Sequence, residues 1–496
     1  MIFLTCLQSI AVAAILLFPD GDKALQGDLK AANEAYLAGK YPDAIKLFTD
    51  LAAKNDKNAH FALGRIYQTG AGLPEDKPDL AKAEAAFRKA AGAGHDGAKL
   101  NLAALLLGDQ KRMLEGIKIL KDLAASGSGQ GLMALGQLYA GGQGVEQNFE
   151  IAKELFEKAT AAGEADAYML LGQMSEVGKG SELNLKTALE LYEKAAQGNS
   201  LSGMMRLATL YANGAEGLEK NLAKAKEWLT KAAEKEQDGT AALNLGVILE
   251  GFEKQPVEAY KWYLKSAEQG NPTGMVSLAA MQSKGTGVEK KDPKEPFGWY
   301  EKAAQAGSPL GMYALSQAYE KGEGTAANPT DAKKWLLKAA LSGSPVAMRQ
   351  VADGYRQGTL AGIKDLLASV SWFKRAIDAG DGEAVLALSA MLVSGEEIPR
   401  DLKTAITLLS RAAEAGSAEA QVRLADIYAQ GLGTTVDLIR SYALLLVAGE
   451  YEPAKAKREE LALKMSKDQL AEAQKEFDRL RAKPAPATPA PAVETK

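Results

Sequence analysis

A chain of 496 residues is too long for one compact core, so it holds either about three ordinary domains or one elongated repeat array. Hydrophobic residues at 47% and charged residues at 25% are ordinary for a folded soluble protein, and a net charge of −4 supplies no basic field for a phosphate backbone, which excludes nucleic acid as a natural partner. One cysteine, Cys6, excludes an internal disulfide framework and a cysteine-built zinc site.

The chain opens on MIFLTCLQSIAVAAILLF, broken only by Thr5, Gln8 and Ser9. This resembles the apolar region of a signal peptide, although no Lys or Arg precedes it, and the expectation is an exported protein, periplasmic or secreted, with residues 1–22 as its leader. Uncleaved, the same segment would be the chain's one route to a membrane. Residues 23–57 follow as a helical cap around AANEAYLAGKYPDAIKLFTDLA.

From residue 58 to 450 one phrase recurs. AKKWLLKAALSGSPVAMRQVADGY, Ala332 to Tyr355, repeats the landmarks of PFGWYEKAAQAGSPLGMYALSQAY, 36 residues earlier. The glycine that closes the AAxxG phrase falls at Gly94, Gly127, Gly163, Gly198, Gly270, Gly307, Gly343, Gly380, Gly416 and Gly449. Successive spacings are 33, 36, 35, 72, 37, 36, 37, 36 and 33, the 72 being a doubled period. A fixed period in the 20 to 50 range marks a solenoid, here of about eleven units.

Each period holds two amphipathic segments and no alternating strand pattern. In the first, Gly311, Leu315 and Tyr319 share one helical face and Gly322 stops the helix. The second runs from about Asp331, with Ala332, Trp335 and Ala339 on one face, and Gly343 ends it. Trp228, Trp262, Trp299, Trp335 and Trp372 occupy one register in five consecutive units, where other units carry Ile119, Leu155, Leu191 and Leu408. That interchange with aliphatic residues reads as core, with a cost of about 3–5 kcal/mol expected for Trp335→Ala.

Beyond the repeats, EPAKAKREELALKM and SKDQLAEAQKEFDRL read as two capping helices over 451–482, the second opened by the capping box Ser466 and Gln469. The Pro/Ala tail 483–496 has little to bury and is expected to be disordered.

The phrases ALSQAYEKGEG with AKKWLLKAALSG, LGQLYAGGQGV with AKELFEKATAAG, and LADIYAQGLG resemble the Sel1-like repeat family of the tetratricopeptide superfamily. Departures lie at LLLGDQKRMLEG and EGFEKQPVEA. The N-terminal cap resembles a plain tetratricopeptide unit, with Tyr36, Gly39, Tyr41, Ala44 and Phe48 at the expected places. The resemblance implies an all-α, right-handed α-solenoid superhelix of about eleven helix pairs with helical caps.

No catalytic, metal or cofactor constellation emerges. His60 and His95, the only histidines, have no partner at metal or triad spacing, and the GEG, GTG and GLG clusters end helices instead of following strands. The expected function is a non-enzymatic, monomeric scaffold or adaptor that binds another protein or peptide. A few Sel1-like relatives with cysteine-rich repeats are described as β-lactamases; a hydrolase is the disfavoured alternative, because that branch staples its helix pairs with cysteines and this chain has Cys6 alone.

By the same resemblance the first helix of each pair lines the concave groove. The positions two before, two after and five after the core Leu then point into it, and the first of these columns supplies Met133, Met169, Met205, Leu243 and Tyr313 as adaptable apolar contacts. Gln317 belongs to the second column, and Arg349, Asp353 and Arg356 form a polar specificity patch. As a surface charge reversal, Arg349→Glu is expected to cost little stability.

Overall fold

The computed structural model describes residues 27–482, except 289–291 and 293; the expectations for 1–22, for Cys6 and for 483–496 lie outside it. The chain divides into two compact units, Met1–Glu236 and Gln237–Lys496. The first holds an opening pair, Gly27–Leu37 and Tyr41–Ala53, and five repeat pairs from Lys57–Thr69 with Leu80–Gly92 to Leu201–Asn213 with Leu222–Ala233. The second holds six pairs, from Thr240–Gly251 with Pro256–Glu268 to Ala418–Gln430 with Leu438–Val447, closed by Glu452–Ala462 and Lys467–Ala482. Five and six give eleven repeat pairs, as the period predicts. Each unit is an α-solenoid; among the described residues there is no β-strand, only an isolated bridge between Ala215 and Leu218. No described helix is long and apolar enough to cross a membrane.

Local chemistry sets the helix ends repeat by repeat. Ser128, Ser200, Ser308, Ser344 and Ser417 cap first helices by accepting the amide hydrogen three residues on, and Asn148, Asn184, Asn221, Asp365 and Asp401 cap second helices in the same way. Each such cap contributes about 1 kcal/mol. Most first helices stop at a glycine with positive φ, as at Gly322 with φ 73°, because that conformation costs glycine no Cβ clash; Asp96–Leu107 and Thr240–Gly251 end instead at right-handed Gly108 and Phe252. The helix after it spans Pro329–Leu341 and starts two residues before the sequence estimate, because Asn328 is its cap. At the fourth AAxxG phrase Asn199, with φ 68°, takes the left-handed position that Gly198 was expected to fill. Asn tolerates that region, which conceals the substitution from a search for glycine.

Packing within a pair rests on a reciprocity of size. A Cβ added at Gly64, Gly136, Gly172 or Gly246 would stand 2.5–2.6 Å from the ring of Phe87, Phe156, Tyr192 or Tyr263, respectively. Where the second helix carries Leu229 or Leu409, the corresponding residue is Ala208 or Ser389. Ala279 with Tyr300 and Ala352 with Phe373 show that the exchange is a tendency and not a requirement. These rings form the inner column: Phe87, Phe156 and Phe373 are 0% exposed and Tyr263 2%.

The tryptophan column is therefore corrected by one residue. Trp228, Trp262, Trp299, Trp335 and Trp372 immediately precede that column and are only half-buried. The residue three further on covers each indole with a cation, from Lys302 Nζ 4.2 Å above Trp299 and Lys338 Nζ 4.3 Å above Trp335 to Lys265 Nζ 5.2 Å above Trp262, with Lys231 and Arg375 completing the series. An amphipathic ring tolerates a half-wet site, and the cation gains from the indole quadrupole. The interchange with Leu and Ile that suggested a core position reflects the buried half alone.

Candidate functional site

In the first unit, the apolar column expected to face a partner is mostly seam. Met169 is buried at 6%, as are Phe61 at 3% and Leu100 at 6% in the same register of earlier repeats, so Met169 is not open to a partner. Met133 is half-buried against Leu132, Ala159 and Ala167, and Met205 is half-buried as well. Beside Met205 lies a polar cluster that the sequence did not announce. Tyr192 Oη donates to Glu176 Oε2 at 2.6 Å, and Arg206 Nε donates to the same oxygen at 3.0 Å. Burial, then the Glu176 hydrogen bond, holds the Tyr192 phenol well above its ordinary pKa. These residues come from two repeats, 16 and 30 positions apart, which no local motif encodes.

In the second unit, Leu243 and Tyr313 are half-buried. Tyr313 Oη accepts from Gln350 Nε2 at 2.8 Å, and Gln317 Nε2 donates to Gln350 Oε1 at 3.3 Å, so the two predicted residues are joined through an amide of the next repeat. Burial raises the Tyr313 phenol pKa.

The predicted polar patch is brought together. Arg349, Asp353 and Arg356 border a shallow depression of about 270 Å³ whose other walls include Glu383, Ala387, Ala390 and Arg423. They come from Pro345–Gln357, Gly382–Ser394 and Ala418–Gln430, the first helices of three successive repeats. Arg356 NH2 meets Asp353 Oδ1 at 3.1 Å and its NH1 meets Glu397 Oε2 at 3.7 Å, while its buried Nε makes no hydrogen bond. Arg423 NH1 donates to the Leu386 carbonyl at 2.9 Å.

Arg349 is not the loose surface charge that was expected. Its Nε donates to Asp381 Oδ1 and Oδ2, each at 3.0 Å, with the two side chains 26% and 4% exposed. Reversing its charge would set two carboxylates against each other in a partly dry site.

A roomier cleft of about 400 Å³ lies where the last helix meets the final repeat pair, walled by Ala413, Leu424, Leu444, Val447 and Leu480. Its surface is mainly apolar, with Glu414 and Arg440 among its walls. Among the described residues no group of three His, Cys, Asp or Glu side chains is placed to hold a metal ion.

The Sel1 repeat model matches residues 57–95, 129–164, 165–200, 201–236, 239–271, 272–308, 309–344, 345–381, 382–417 and 418–450. Ten of the eleven pairs are thus matched; the one passed over, Asp96–Leu107 with Met113–Ala125, has the shortened loop noted in the sequence. Arg88 braces it, donating to Glu115 Oε1 at 2.6 Å and Oε2 at 3.1 Å.

Among solved structures the chain is similar to c5321, a protective antigen of uropathogenic Escherichia coli with an SLR fold, at 27% identity and a TM-score of 0.45 over 89% of this chain and 95% of that one. A Sel1 repeat protein of Oxalobacter formigenes matches at 26% identity and a TM-score of 0.47 over 63% and 90%. Yeast Tom70 matches at 16% identity and a TM-score of 0.38 over 92% and 96%. No curated protein is significantly similar in sequence. Repeats of this kind are generally protein-interaction scaffolds. With matched repeats covering well over half of its length, the chain belongs to the Sel1 repeat family.

Proposed function

We propose that this protein is a non-catalytic scaffold or adaptor that holds a segment of another protein against its first-helix face. The apolar N-terminal run supports a place of action in the periplasm or cell envelope. The observation that carries the reading is the depression bounded by Arg349, Asp353, Arg356, Glu383 and Arg423, where three consecutive first helices present donors and acceptors around small apolar side chains. Such a surface suits an extended or helical segment whose backbone and polar side chains are read by the charged rim.

The reading corrects the expected anchors: Arg356 and Asp353 remain, Arg349 serves mainly as a brace, and Met169 is removed. The test blocks the depression without touching the core. Ala390 is exposed on its wall, so Ala390→Trp should fill it and abolish capture of the partner from an envelope extract, while Leu367→Trp, at a position 87% exposed on a second helix, should not. Equal capture by both variants would exclude the depression as the binding site.

A further inference from the structure

His95 departs from the capping chemistry of the other repeats. Its Nδ1 accepts the amide hydrogen of Ala98 at 3.1 Å and so caps the first turn of Asp96–Leu107, a task given to Ser, Asp or Asn in most other units. The imidazole is also stacked on Phe61 of the preceding repeat, with ring centroids 4.3 Å apart at an interplanar angle of 24°, and Phe61 in turn meets Phe87 at 6.0 Å. One side chain thus caps one repeat and packs against its neighbour.

Because Nδ1 accepts, the neutral ring carries its hydrogen on Nε2, and Nδ1 is the nitrogen that a second proton would take. Capping and protonation compete for one lone pair. We infer that His95 makes this repeat junction acid-sensitive: protonation breaks the side-chain cap, leaves the Ala98 amide with the His95 carbonyl at 3.1 Å alone and places a cation at the positive end of the helix dipole. A serine or aspartate cap has no such response near neutral pH.

The charges that face the ring are Lys57 and Asp56 on the preceding repeat and Asp96 beside it, the last engaged with Lys99 Nζ at 2.7 Å. Burial, then Lys57, lowers the His95 pKa from its ordinary value, outweighing the two aspartates. The chain's other histidine, His60, lies next to Phe61 at 8% exposure, its pKa lowered by burial and by Lys89. Both histidines favour the neutral form when folded. Their contribution to stability is therefore complete above the unfolded value near 6.5 and is lost as pH falls through and below it.

The test compares full-length protein with His95→Asn and His60→Asn by hydrogen–deuterium exchange at pH 7.5 and 5.0, each rate corrected for the intrinsic pH dependence of exchange. Asn is among the strongest capping residues and does not titrate, so His95→Asn keeps the cap at both pH values. The inference predicts that segment 96–107 exchanges about tenfold faster at pH 5.0 than at 7.5 in the parent and in His60→Asn, but not in His95→Asn, whereas segment 201–213, capped by Ser200, is unchanged in all three. No acceleration in the parent, or equal acceleration in His95→Asn, would overturn it.

Discussion

Arg349 and Asp381 lock two consecutive repeats together. The guanidinium Nε of Arg349 reaches both carboxylate oxygens of Asp381 at 3.0 Å, and Asp381 Oδ1 also accepts the amide hydrogen of Ala384 at 2.8 Å to cap Gly382–Ser394. One carboxylate thus ends a turn, starts a helix and holds the repeat before it. We expect Arg349→Glu to destabilise this region by about 2–4 kcal/mol, because it leaves a buried carboxylate facing another negative charge. Urea unfolding read by exchange in segment 382–394 measures the effect; a loss under about 0.5 kcal/mol would return Arg349 to the class of free surface charges.

The column Phe87, Phe156, Tyr192 and Tyr263 should respond to the size of the facing residue. Gly136→Ala places a Cβ 2.6 Å from Phe156 Cε1, and we expect it to cost about 1–3 kcal/mol as overpacking. Adding Phe156→Leu, which recreates the pairing of Ala208 with Leu229, should return part of that loss. A double-mutant cycle of thermal stabilities checks it, and strict additivity would show that the two side chains do not press on each other.

Trp335→Ala should cost less than Phe373→Ala. The indole is half-buried beneath Lys338, whereas Phe373 is 0% exposed, so about 1–2 kcal/mol is expected for the first and about 3–5 for the second. Matched denaturation curves for the two variants decide the order, and equal losses would restore the tryptophan column to the core.

The period, the number of helix pairs and the glycine stops were legible in the sequence because each recurs and each has one local cause. Which of two adjacent columns faces inward was not. Trp372 and Phe373 are neighbours, both aromatic, and their burial differs by a rotation that only the packed partner helix fixes. A cation three residues after every tryptophan was the available signal. That Arg349, Asp353 and Arg356 lie close together was legible because they share one helix. The bonds of Arg349 to Asp381 and of Gln350 to Tyr313 span 32 and 37 positions, where only the fold supplies the meeting.

Glu164 occupies a capping position at the head of Ala165–Val177 but makes no side-chain cap, and burial, then the nearby Asp166, raises its carboxyl pKa. A group with a raised folded pKa favours its protonated form, so at neutral pH its charge opposes folding, and the penalty fades as pH falls through that value. Glu164→Ser removes the charge and supplies the cap used at Ser128 and Ser200. Thermal unfolding at pH 7.5 should show a gain of about 0.5–2 kcal/mol, and a destabilised variant would contradict the assignment of Glu164 as a poor cap.

The most direct measurement of the interaction surface is site-specific photo-crosslinking in the living cell, with a benzophenone amino acid placed singly at Ala387, which lines the depression, and at Leu367, on a second helix. The account predicts a discrete covalent adduct with one partner from position 387 and none from position 367. Adducts from position 367 alone would place the interface on the second helices and contradict it.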